Sequence, residues 1–159
     1  MMRQYVRCSE CHPDIEKLRE LLSKVTDEQK LNILQQTKSV LDRTALHEAA
    51  YRDDAEMITT ILSSLQSSDR LKLLMVKNNL KHTPLHIAAL RGHTESVKAI
   101  LDSLTADQQM QLLIVEEDWC CKTAVEMASG ETADVLSEYK SRAREKADPG
   151  EFIPLNSHV

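Results

Sequence analysis

Six histidines and four cysteines are the residues of this 159-residue chain whose types and spacing could support chemistry. His47 and His86 stand in near-identical surroundings, TALHEAA from Thr44 to Ala50 and TPLHIAA from Thr83 to Ala89. A catalytic base needs an acid or nucleophile positioned beside it in a cleft, and a catalytic His duplicated with its flanks would be odd. Cys8-Ser9-Glu10-Cys11-His12 spells the C-x-x-C-H of covalent haem attachment, and the same thiols could form a redox pair or begin a metal site. Haem attachment belongs to exported proteins, and the opening MMRQYVRCSE has basic residues without a signal-type apolar stretch behind them. Zinc would need two more ligands, and the remaining thiols, Cys120 and Cys121, lie far along the chain. Those two are adjacent and point apart, so they read as a loop pair rather than a disulfide. No catalytic, cofactor-binding or metal-binding residue is therefore assigned. A Cys-based metal or redox protein using Cys8, Cys11 and His12 stands as the alternative from another class.

Charge and composition exclude further classes. The formal charge is -5, and 20 scattered Lys and Arg face 25 acids, whereas a protein that tracks phosphates needs clustered positive charge. One Trp, three Tyr and one Phe cannot build a base-stacking platform, so no nucleic acid is expected as partner. No apolar run approaches the roughly 20 residues that span a bilayer, so no membrane is expected either. Cysteines without an export signal imply reduced thiols in the cytosol or the nucleus. The length and an apolar content of 42% suffice for one core and do not promise two.

The elements that would position these residues recur. The two TxLHxAA strings lie 39 residues apart, and a weaker echo, TAVEMAS, begins 40 residues later at Thr123. A second register runs through LLSKVTDEQKLNIL from Leu21, ILSSLQSSDRLKLL from Ile61 and ILDSLTADQQMQLL from Ile100, aligned over fourteen residues without a gap. Thr44 and Thr83 suit helix N-caps, and Pro84 suits a first turn. The small pairs Ala49/Ala50 and Ala88/Ala89 allow close helix contact. Stripes at Ile15, Leu18, Leu22 and Val25, at Ile58, Ile61, Leu62 and Leu65, and at Val97, Ile100, Leu101 and Leu104 predict a second helix with one buried face. Thr26-Asp27-Glu28-Gln29, Ser67-Ser68-Asp69-Arg70 and Thr105-Ala106-Asp107-Gln108 then open a short third helix by capping chemistry. Leu71, Leu74 and Val76, or Met110, Leu113 and Val115, extend its core. No such unit buries its faces alone, so stacking stabilises it.

The string T-P-L-H-x-A-A followed by Arg91-Gly92-His93 and an aliphatic stripe resembles the ankyrin repeat. The resemblance implies an all-α, ankyrin-type helical repeat solenoid over residues 1–142, with two central repeats, 43–81 and 82–121, flanked by degenerate capping repeats at 1–42 and 122–142. Residues 143–159 read as a flexible polar tail. In similar repeats the His is structural, tying the helix cap to a neighbouring loop. Two departures stand out. The repeats run 39 or 40 residues against about 33 in the family, which the added helix accounts for. Asp42, Lys81 and Cys121 replace the turn glycine, and Lys tolerates positive φ poorly, so plainer loops are expected in place of hairpin fingers.

Such repeats bind proteins, and the resemblance places their contacts on the concave face, in the loop before each Thr and the two residues after Ala-Ala. Here these are Leu41, Arg43, Tyr51, Arg52, Asn79, Leu80, His82, Leu90, Arg91, Trp119 and Lys122. Arg and aromatic residues beside exposed aliphatics are the composition of contact hot spots. Leu41, Leu80 and Trp119 could instead fold inward over the third helices. The implied function is a non-catalytic scaffold or adaptor that recruits or masks a protein partner, with a stand-alone inhibitor of a signalling protein as the alternative. Ser157-His158-Val159 resembles the C-terminal ligand of a PDZ domain, a second potential partner.

Overall fold

A computed structural model describes residues 15–36, 41–115 and 122–147 of the chain. Its elements are helices: α1 (Ile15–Ser23), α2 (Asp27–Gln35), α3 (Ala45–Arg52), α4 (Ala55–Ser63), α5 (Ser67–Leu74), α6 (Pro84–Arg91), α7 (Thr94–Asp102), α8 (Ala106–Leu113), α9 (Ala124–Met127) and α10 (Gly130–Ala147). They stack in three rows. First helices α3, α6 and α9 pack in succession, as do second helices α1, α4, α7 and α10 and third helices α2, α5 and α8. The added short helix expected from the sequence is thus a full row of the stack. Residues 1–14, the opening of the degenerate capping repeat expected at 1–42, lie outside the described residues.

Local chemistry sets the helix starts. Thr26, Thr44, Thr83, Thr105 and Thr123 each close a capping box with the residue three positions on, which is Gln29, His47, His86, Gln108 and Glu126 in turn. Each box satisfies two backbone donors that a helix start leaves open. The middle third helix departs from this pattern. Its cap is Gln66, one residue before the expected Ser67, and the Gln66 side chain makes no capping bond. It donates instead to Asp27 Oδ2 in the preceding repeat at 3.2 Å. The stacking register, not local Ser and Asp preference, fixes this start.

Packing follows the stripes. Ile58, Ile61 and Leu62 on α4, Val97, Ile100 and Leu101 on α7, and Leu85 on α6 are all completely buried, with Leu73, Leu74 and Leu113 beneath the third row. Ala49, Ala50, Ala88 and Ala89 are buried, as close approach of α3 to α6 requires. Polar links join the repeats at their edges. Lys30 Nζ donates to Ser64 O at 3.3 Å and Arg70 to Ser103 O at 3.0 Å, so one cation on α2 and one on α5 each meet an open carbonyl at the end of the next second helix. His93 Nδ1 donates to Ala50 O at 2.9 Å, and Ser96 Oγ to Asp53 Oδ1 at 2.8 Å. That bond explains an Asp at a left-handed helix end (φ 59) where the next repeat has Gly92.

The C-terminal end is closed by α10, which continues to Ala147, past the position at Arg142 where the composition turns polar. Leu136 and Ala143 are buried, Thr132 Oγ1 lies 2.9 Å from Thr94 Oγ1, and Tyr139 OH donates to Asp102. Burial, and then the Asp102 carboxylate, push the Tyr139 hydroxyl up to about 12.

Candidate partner-binding face

The turns before α3 and α6 carry the first candidates. Asp42 and Lys81 both hold positive φ, 51° and 63°. The positive φ that Lys tolerates poorly is therefore adopted at Lys81 without glycine, while no strand flanks either turn among the described residues, so the loops lack hairpin fingers. Asn78 is the cause of the positive φ at Lys81. Its backbone N–H donates to His82 O at 2.9 Å, its carbonyl accepts from Lys81 N–H at 2.9 Å, and its Oδ1 accepts from the N–H groups of Leu80 and His82 at 2.9 and 3.0 Å. Four bonds made by one buried Asn over-determine the turn. Asn79 N–H also donates to Leu41 O at 3.2 Å, joining this turn to the one in the preceding repeat.

His47 anchors the turn from below. Its Nε2 lies 3.0 Å from His82 O, and a carbonyl only accepts, so Nε2 carries the proton. Nδ1 then accepts from Thr44 Oγ1–H at 2.8 Å and from Thr44 N–H at 3.2 Å. Burial, more than the nearby Arg43 charge, lowers the ring's pKa to about 4, which keeps it neutral. His86 repeats the contact to its own threonine at 2.7 Å, and its ring stacks on that of His82. In the last repeat Glu126 takes the same place. Its Oε2 accepts from Thr123 N–H at 2.7 Å and from Thr123 Oγ1–H at 3.0 Å, bonds that lower its pKa. These rings and this carboxylate are engaged in holding backbone, as a structural His requires.

The far ends of the first helices bring other candidates together. The Arg91 guanidinium carbon lies 4.0 Å from the Tyr51 ring centroid and that of Arg43 4.3 Å, each over the ring. Two guanidinium groups cannot share one face at that distance, so they bracket it. Arg43 reaches back from the turn along α3, and Arg91 reaches across from α6. Glu48, absent from the sequence candidates, completes the cluster: its Oε1 accepts from Arg52 Nε at 2.8 Å, and its Oε2 lies 3.6 Å from Arg43. The spacing of Glu48 to Arg52, one helical turn, is the signal that could have found it.

Leu80 is 47% exposed and Leu90 55%, so Leu80 does not fold inward; Leu41 is half-buried. Asn79 and Lys122 are exposed. No contact places Lys122 in the Arg43/Tyr51/Arg91 cluster, though its charge helps lower the pKa of Glu126. Trp119 lies outside the described residues, as do Cys8, Cys11, His12, Cys120, Cys121 and Ser157-His158-Val159. Among the described residues no three His, Cys, Asp or Glu side chains gather as a metal site, and no helix is long and apolar enough to cross a membrane. A cleft of about 310 Å³ opens elsewhere, between α1, α2 and α4. Its Ser23, Ser63 and Ser64 hydroxyls donate to carbonyls of their own helices.

Compared with known families, the chain matches the model for ankyrin repeats, in three copies, over residues 7–112. No curated protein matches it.

Proposed function

The chain belongs to the ankyrin-repeat family, and from that premise we propose that it holds a protein partner against the face made by its first helices and the turns before them. Ankyrin repeats are protein–protein interaction modules, generally without catalytic activity, and the three-row frame described above is such a module. The reading for this chain is a scaffold or adaptor that recruits its partner or covers the partner's working surface. The observation that carries it is the contrast within α6 and its turn. Leu85, His86 and Ala88 are completely buried, whereas Leu80, on the turn fixed by Asn78 and His47, and Leu90, in the last turn of α6, are about half exposed. Rigidly presented aliphatics beside Arg and Tyr lose little conformational freedom on binding, which favours affinity.

The test is capture from a cell lysate by immobilised protein, with identification by mass spectrometry. Wild type is compared with a Leu80→Ser/Leu90→Ser variant and with Glu56→Lys on the second-helix row. Proteins retained by wild type and by the α4 variant, but lost from the double-serine variant, support the reading. Equal retention by the double-serine variant, or loss only in the α4 variant, overturns it.

A further inference from the structure

We propose that the Arg43–Tyr51–Arg91 stack is a carboxylate-recognition site, and that the partner segment it takes is an acidic peptide with aliphatic residues between its Asp or Glu side chains. This rests on the proposed function above and names the chemistry of the occupant. Arg91 is the central residue of the site. Its guanidinium is laid on the Tyr51 ring at 4.0 Å, which desolvates a face and restricts the side chain's rotamers. Among the described residues no carboxylate or hydrogen-bond acceptor meets it, since Glu48 is engaged by Arg43 and Arg52. A guanidinium recognises partners through its edge, where five N–H donors lie in a rigid planar fork. Arg91 therefore presents that edge to solvent with its orientation already set. A carboxylate satisfies such a fork with two parallel, charge-assisted bonds.

Charge complementarity points the same way. Arg43 and Arg52 share one carboxylate, Glu48, and Arg43 and Arg91 share the Tyr51 ring, so three guanidinium groups meet on a chain whose formal charge is -5. The nearby Asp53 is bonded to Ser96, in the contact between α3 and α7. A positive island on an acidic protein attracts an acidic segment locally while the rest of the surface repels it, which fixes where the segment lands. The aliphatic component follows from Leu90, the residue before Arg91, and from Leu80 on the preceding turn, both about half exposed. Tyr51 acts as a positioning residue for the two guanidinium groups, and Glu48 holds Arg43 and Arg52 beside it.

The probe is a short fluorescein-labelled peptide alternating Glu and Leu, titrated with the full chain and followed by anisotropy. A Gln/Leu peptide of the same length is the uncharged comparison. The Glu/Leu peptide is expected to bind and the Gln/Leu peptide to bind at least about tenfold more weakly. Arg91→Gln is expected to lose about tenfold. Arg91→Lys should recover little of that loss, because an ammonium keeps the charge without the fork or the stack. Tyr51→Leu should weaken binding with both guanidinium groups still present, whereas Arg142→Gln on α10 should change nothing. The proposal is overturned if the two peptides bind alike, if Arg91→Lys binds as wild type does, or if Arg142→Gln loses as much as Arg91→Gln. Arg91-dependent binding of phosphatidylserine vesicles in place of the peptide would also overturn it. Failure of the Glu/Leu peptide while lysate capture still depends on Leu80 and Leu90 would remove this inference and leave the proposed function standing.

Discussion

Acidification should destabilise this protein through His47 before its carboxylates titrate fully. The buried ring has a pKa of about 4 against an ordinary value of 6.5. Between those values the unfolded chain takes up a proton that the folded chain does not, so stability falls as pH falls from about 6.5 to about 4. The full difference corresponds to about 3 kcal/mol, of which about 2 kcal/mol is lost between neutral pH and about pH 5. Physically, protonating Nδ1 would turn an acceptor for Thr44 N–H and Oγ1–H into a donor facing a donor. The comparison variant is His47→Gln. Gln closes the same capping box in α2 and α8, so the helix start survives, while the bond from Nε2 to His82 O is lost. That variant should be about 1 kcal/mol less stable at neutral pH and should show a shallower decline on acidification. Urea unfolding at several pH values measures both slopes, and an NMR titration of the ring gives the folded pKa directly. A ring pKa near 6.5, or identical slopes in wild type and variant, would rule out His47 as the source of the acid sensitivity.

Other expectations concern packing, backbone and charge. Leu85→Ala and Leu101→Ala each remove a completely buried side chain and should cost roughly 2 to 5 kcal/mol; unchanged melting temperatures for both would reject the repeat register. Lys81→Gly should stabilise the fold by about 1 kcal/mol, because Lys81 sits at φ 63° where an L side chain is penalised, and a lowered melting temperature would contradict that turn. Arg52→Glu with Arg91→Glu should leave the circular dichroism spectrum intact, since both residues are exposed, yet weaken capture of the partner; full capture would move the contact elsewhere.

Much of the frame is legible in the sequence because local and tertiary preferences agree there. Thr44 and Thr83 cap where threonine prefers to cap, and the stripes of α4 and α7 are buried at every stated position. Departures arise where tertiary bonds override propensity. Gln66 caps α5 because the register with α2 puts its side chain within reach of Asp27, although Ser67 is the better capping residue. Lys81 adopts a glycine-like φ because the bonds of Asn78 hold the turn, and no propensity scale contains those bonds. The candidate face was readable as residue types but not as an arrangement. Tyr51 and Arg91 are 40 positions apart in sequence, and only the pairing of α3 with α6 lays one on the other.

Hydrogen–deuterium exchange of the protein, alone and with its captured partner, locates the contact face. Protection is expected in the segments 41–52 and 79–91, which hold the turns and the first helices, with α4 and α7 unchanged beyond their own slow exchange. Protection confined to the second-helix row, with 41–52 and 79–91 unaffected, would contradict binding through the first helices and their turns.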